Sequence, residues 1–366
     1  MKRFLTKQKK QTLTKAFCFG FSAALCCGSF LVAPRMAAAI PYFGSGNSQR
    51  EFYSDLPALG TDIPAFALDS GVSEPEKQTS SDESEPFVPQ EESIESQKPT
   101  PNEGDLAVFA DNLCWYDLEE NATLDIINRT SYDVNLKDYL KKSFRIQSPN
   151  DDEPLVLIVQ THGSESYLEN GHDFYSPKET FRSTDVTKNV VHIGEILAET
   201  LNSKGIKTIH DKTMYDQQDF NKSYGYSRSG ILKALEEYPS IKFVIDIHRD
   251  SIFDSSGRNI KPLTQIQGKD CAQLMLVIGT DQGGISHPNW KGNLTFATKL
   301  QDKMNQTYPT LARPINLRTS AFNQQLTPGS ILLEAGSCGN TLEEAENAIV
   351  LFGEVYAEIV KESIGS

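Results

Sequence analysis

From Leu155 onward, short β-rich apolar runs alternate with helix-length amphipathic segments, and no other feature constrains the fold as strongly, because that rhythm belongs to α/β domains. Leu155-Val156-Leu157-Ile158-Val159 is apolar without alternation, as a strand covered on both faces requires. Asn189 to Asn202 carries apolar residues at helical spacing and stops at Gly205, after which Ile206 to Ile209 reads as a second strand. A helix from about Tyr226 to Tyr238 ends before Pro239, and the strand Lys242 to Ile247 follows. Further strands are expected at Leu274 to Ile278 and Ser330 to Leu333, with helices from about Asn293 to Asn305 and from Leu342 to about Val360. The expected architecture is α/β, with a single open, mostly parallel sheet flanked by helices. Residues 106–150 contain Cys114-Trp115-Tyr116 and several apolar positions, which suits a segment folded onto the domain without assigning it an element.

Ahead of the domain the sequence changes character twice. Ala16 to Ala33 is an apolar run behind Lys2, Arg3, Lys7, Lys9, Lys10 and Lys15, about the length that crosses a hydrocarbon layer. Residues 1–40 are therefore expected to be a single-pass membrane anchor or, with Ala37-Ala38-Ala39 as a cleavage site, a signal segment. Positive charge before the run keeps that end cytoplasmic and places the rest outside. Residues 41–105 form an acidic linker: between positions 69 and 105 eleven acids face only Lys77 and Lys98, with almost no large apolar residue from Ser70 on. Such a stretch cannot bury enough surface to offset chain entropy, and its like charges extend it. The domain at 106–366 is acidic too and has no basic stripe, which excludes nucleic acid as a partner. Cys114, Cys271 and Cys338, the cysteines outside the apolar run, are odd in number, and no CxxC pair exists.

Ligands collect at the C-terminal edge of open α/β sheets, and three expected strands deliver reactive groups there. The first runs into Gln160-Thr161-His162-Gly163-Ser164-Glu165, the middle one into Asp246-Ile247-His248-Arg249-Asp250, and the last into Leu333-Glu334-Ala335-Gly336. Two imidazoles and a carboxylate leave one position open on a tetrahedral zinc, the arrangement of a catalytic site. His162 and His248 are the expected ligands, Glu334 the base that takes a proton from water, and Asp246 or Asp250 the group that orients His248. His172, His192 and His210 are read as structural, with His210 the strongest exception.

The stretches His162 to Tyr167, Asp246 to Ser251, His287-Pro288-Asn289-Trp290 with Asn293-Leu294, and Leu333 to Gly336 with Asn340 to Ala345 resemble the stage II sporulation protein P family, in the same order, over about Leu155 to Val360. That resemblance implies a peptidoglycan hydrolase with a fold similar to zinc-dependent N-acetylmuramoyl-L-alanine amidases, with amidase and crosslink endopeptidase activities. It also implies action on the mother-cell side of the sporulation septum during engulfment, alongside stage II sporulation proteins D and M. Two positions depart from the pattern. The first histidine of the family's His-Thr-His is Gln160 here, and the segment Ser183 to Thr187, where related amidases carry a glutamate ligand, has no Glu. The third ligand is accordingly assigned to Glu165, with Asp185 its rival. Arg249, Asn289 and Trp290 look like substrate-groove elements, with core packing the alternative for Trp290. A module that grips peptidoglycan while a partner cuts is the alternative to an enzyme.

Overall fold

The computed structural model describes residues 98–114, 116–117, 121–122, 124–147 and 152–365. The anchor or signal segment expected in residues 1–40 lies outside the described residues, as does the linker up to residue 97. Among the described residues no helix is long and apolar enough to cross a membrane.

The first third of the described chain holds β1 (Leu106–Asp111), β2 (Tyr116–Asp117), β3 (Asn121–Ala122), β4 (Ile126–Asn128), α1 (Leu136–Leu140) and β5 (Ile146–Gln147). Next come β6 (Val156–Val159), β7 (Phe174–Tyr175), α2 (Val190–Ser203), β8 (Thr208–His210), α3 (Ser223–Glu237) and β9 (Phe243–Asp250). The chain continues through β10 (Asn259–Ile266), β11 (Lys269–Ala272), β12 (Leu274–Gly279), α4 (Trp290–Thr307), β13 (Ile315–Arg318), β14 (Ile331–Ser337), α5 (Leu342–Ser363) and β15 (Ile364–Gly365).

A seven-stranded sheet with the order β4-β13-β12-β14-β9-β6-β8 forms the centre. Its middle strands are the unbroken apolar runs of the sequence, and Val156 to Val159 are fully buried because helices cover both faces. Asn189 caps α2 by accepting from the Val191 backbone N–H, and Gly205, at φ +78°, ends it. Thr341 and Glu344 close a reciprocal capping box at the start of α5. Leu197 and Leu201 of α2, Phe296 and Leu300 of α4, and Phe352 and Tyr356 of α5 then bury their stripes against Phe243, Ile245 and Leu333 of the sheet.

The single, mostly parallel sheet expected from the sequence is corrected: the sheets are mixed, and there is a second large one. Within the central sheet β12 runs antiparallel to β14. Beside it lies a four-stranded sheet in the order β11-β10-β1-β7, in which β10 turns back on β11 and β7 opposes β1. The β10–β11 hairpin turns at Gln267 and Gly268, both at positive φ as a tight two-residue turn demands. Pairing with β10 places β1, part of the stretch at 106–150 that had no assigned element, on the domain.

Candidate active site

His162 follows β6 directly, where Thr161 is pinned by the buried Asp246 carboxylate: the Thr161 N–H donates to Oδ1 at 2.8 Å and its hydroxyl to Oδ2 at 2.7 Å. The turn that follows is tight. Gly163 packs on Met214 so closely that a Cβ there would lie 2.6 Å from Met214 Cγ, and the Glu165 N–H closes the turn on the His162 carbonyl. His162 stacks on Phe220 with ring centres 4.3 Å apart and meets the His248 ring edge-on at 5.2 Å. Ser223 Oγ donates to the Phe220 carbonyl at 2.9 Å, so towards His162 Nδ1, 3.3 Å away, it acts as acceptor. That hydroxyl fixes the tautomer with the proton on Nδ1 and the lone pair on Nε2. Burial pushes the His162 imidazole down to about 3, against the pull of Glu165, so the ring is neutral.

His248 sits within β9. Its Nε2 lies 3.0 Å from Asp246 Oδ1 and its Nδ1 3.5 Å from Glu165 Oε2. Burial would lower the His248 pKa, but the Asp246 and Glu165 carboxylates outweigh it and raise it well above the ordinary value. Burial likewise pushes the Glu165 carboxyl up, yet His248, Arg249 and His162 together hold it below the usual carboxylate range. Of the two groups expected to orient His248, Asp246 faces the ring, whereas Asp250 is paired with Arg313 at 2.9 Å.

Glu334 on β14 is the register partner of His248 on the adjacent parallel strand, which sets the two side chains on the same face. Immediately after it the register slips, and Gly336 at φ +78° forms the kink, where a Cβ would come within 2.8 Å of Ala272 Cβ. Glu334 Oε2 is sealed from solvent and has no hydrogen-bond partner. Burial and the Asp250 carboxylate push the Glu334 carboxyl up to about 8, against the pull of His248.

Ligands at tetrahedral zinc distances stand about 3.4 Å from one another, and two such imidazoles have ring centres about 5 Å apart. The Glu165–His248 span of 3.5 Å and the ring separation of 5.2 Å match both values. Among the described residues no group of three or more His, Cys, Asp or Glu is placed so that it could hold a metal ion. Two imidazoles and a carboxylate are donors of the type zinc takes.

Other candidates are placed elsewhere. Asp185 is exposed and its Oδ1 accepts from the Thr187 N–H and hydroxyl, so the rival third ligand stays out of the cluster. Two of the groove expectations are corrected. Trp290 is 4% exposed and stacks on Tyr132 with ring centres 4.8 Å apart, because the segment before α1 folds over it; it is core. Arg249 is buried and donates to the carbonyls of Ser166 and Phe181, so it holds the loop around Glu165 and is not free for a substrate. Asn289 is exposed at the start of α4, its amide turned onto Asn293. Gln160, in the place of the family's first histidine, is fully buried with its amide 2.9 Å from His210 Nε2, which leaves both in structural roles. Sequence reasoning missed Phe220, Ser223 and Tyr224 around His162. Asp219 was the signal: its side chain caps the turn Phe220–Lys222 ahead of α3, which starts three residues earlier than expected.

A family model described as stage II sporulation protein P matches residues 55–357. The stage II sporulation protein P of Bacillus subtilis (strain 168) is 30% identical over 220 residues, 57% of this chain and 51% of that protein, so the match spans about half the relative's length. Similar solved structures include an N-acetylmuramoyl-L-alanine amidase from Clostridium difficile 630, at 15% identity and a TM-score of 0.34, covering 58% of this chain and 96% of that one. Another is the catalytic domain of the N-acetylmuramoyl-L-alanine amidase CwlV from Bacillus (Paenibacillus) polymyxa var. colistinus, at 13% identity and a TM-score of 0.33, covering 57% and 97%.

Proposed function

The chain belongs to the stage II sporulation protein P family, and from that premise we propose that it is a zinc-dependent peptidoglycan hydrolase that cleaves the N-acetylmuramoyl-L-alanine amide during sporulation engulfment. The observation that carries this reading is the proximity of His162, Glu165 and His248, beside the Glu334 carboxyl on the neighbouring strand, whose Oε2 is sealed and unpaired.

His162 through Nε2, His248 through Nδ1 and Glu165 through a carboxylate oxygen would hold the ion. When bound, zinc supplies a Lewis acid that polarises an amide carbonyl and acidifies water. The Asp246 carboxylate, 3.0 Å from His248 Nε2, favours a proton on that nitrogen and so leaves Nδ1 to face the site, while Ser223 does the equivalent for His162. Glu334 is the proton carrier: in its charged form it would accept a proton from the attacking water and return it to the departing amine of L-alanine. Phe220 and Tyr224 pack on the His162 ring and exclude water from that side.

The same residues would serve cleavage of a peptide crosslink, since the two reactions differ in groove shape and not in how water is activated. The alternative of a peptidoglycan-binding module rests on the missing first histidine, whose place is taken by Gln160, buried against His210. In this reading residues 1–40 hold the domain at the membrane, outside the cytoplasm on the mother-cell side, where proteins D and M of the same stage would be its partners.

Mass analysis of purified sacculi digested by the zinc-loaded chain tests the bond assignment. Release of stem peptides with a free L-alanine amino terminus is expected. Products cut only at crosslinks would move the activity to endopeptidase, and wall binding without release would favour the binding module.

A further inference from the structure

We propose that the cleft centred on Arg182 is the subsite for a free carboxylate of the acidic stem peptide next to the scissile amide, an inference that rests on the amidase reading above. The cleft is a cavity of about 300 Å³ lined by Ser164, Arg182, Asp216, Gln217 and Phe220, among others. It adjoins the candidate zinc site on two sides, since Ser164 precedes Glu165 and Phe220 is the ring on which His162 stacks. Arg182 is held in register with the site: it forms a backbone bridge opposite Glu165, flanked by the bonds Ser166 N–H to Phe181 O and Ser183 N–H to Ser164 O.

The guanidinium is built in from beneath. Its Nη1 donates to Ser164 Oγ at 2.9 Å and to Asp216 Oδ2 at 3.1 Å, and its carbon lies 4.4 Å from the centre of the Phe220 ring. The Asp216 side chain is only 1% exposed and its oxygens are used by the Ser164 N–H and hydroxyl as well, so the acid is consumed within the protein. Arg182 itself keeps a quarter of its side chain open. Guanidinium has five N–H donors in a planar fork, and the described bonds engage Nη1 alone, which leaves Nε and Nη2 for a bidentate carboxylate. The second residue of a stem peptide, a D-glutamate linked through its side chain, carries an α-carboxylate one residue beyond the cleaved bond and suits this site.

Equilibrium binding of two soluble muropeptides to the purified full chain decides the matter, one with the free α-carboxylate and a twin with that group amidated. The wild-type chain should bind the acid about tenfold or more tightly than the amide. Arg182→Gln should bind both as weakly as wild type binds the amide, and Arg182→Lys should keep part of the difference. Equal affinities in the wild type, or an undiminished preference in Arg182→Gln, would overturn the proposal; the wild-type comparison needs no variant to fold. Hydrolysis of both twins by the zinc-loaded chain without discrimination sinks the subsite alone. Preferential binding of the acid with hydrolysis of neither sinks the amidase reading and leaves the subsite standing.

Discussion

Glu334→Gln is expected to lower the rate of stem-peptide release by about 10²- to 10⁴-fold while the chain still binds zinc, because the amide keeps the shape of the carboxyl and loses its capacity to carry a proton. Steady-state kinetics on a soluble muropeptide, with metal content measured on the same sample, checks this. Full activity would remove Glu334 from the mechanism, and loss of the metal would make it a ligand. The substitution has a second, opposite effect on stability. In the metal-free chain the Glu334 carboxyl is raised from 4.5 to about 8, so between those values the folded protein holds a proton that the unfolded chain has released. Stability from this group therefore falls as pH rises through that window and is constant below it. His248, raised well above 6.5, acts in the same direction, its contribution present below 6.5 and lost as pH rises through the folded value. Glu334→Gln removes only the first slope, so urea unfolding in chelator should find the variant more stable than wild type at pH 8, by on the order of a few kcal/mol, and similar at pH 5.

Asp246 should be the most sensitive residue that touches neither substrate nor the candidate metal. One buried carboxylate accepts from the Thr161 N–H and hydroxyl and faces His248 Nε2, so it fixes the approach to the first histidine and the tautomer of the second. Asp246→Ala leaves the buried Thr161 N–H without its acceptor and removes the charge opposite His248, while the Thr161 hydroxyl keeps Ser227, and is expected to cost about 3 kcal/mol. Asp246→Asn keeps an oxygen in place but removes the charge opposite His248, and should weaken zinc binding by about 10–100-fold with a smaller loss of stability. Denaturant unfolding and zinc competition on the two variants separate these outcomes. An Asp246→Asn chain that bound zinc like wild type would show that the orientation of His248 is set elsewhere.

The strands that carry the site were legible because each is buried on both faces and reads as an uninterrupted apolar run: Val156 to Val159, Phe243 to Ile247 and Ile331 to Leu333. The second sheet was not. β10, with the sequence Asn-Ile-Lys-Pro-Leu-Thr-Gln-Ile, mixes polar and apolar residues without a clean period, and five of the six residues of β1 are exposed or nearly so. Nor does composition reveal strand direction, which is why the antiparallel β12–β14 pair was invisible. At the site, residue types at strand ends pointed to His162, His248 and Glu334, and the family resemblance added Glu165, which the structure places beside His248. Their mutual register depends on pairing between β9 and β14, a tertiary fact. Trp290 stood between groove and core because the ring that buries it, Tyr132, comes from the stretch the sequence left unassigned. Arg182 and Asp216, 34 residues apart in loops, carry no local pattern at all.

Zinc titrated into the metal-free full chain, followed by competition with a chromophoric chelator, addresses the central claim most directly. One ion per chain is expected for wild type and for Asp185→Ala, with affinity weakened more than about a hundredfold in His162→Ala, His248→Ala and Glu165→Ala. A wild-type chain that takes up no zinc, or a His162→Ala chain that binds it as tightly as wild type, would contradict the account.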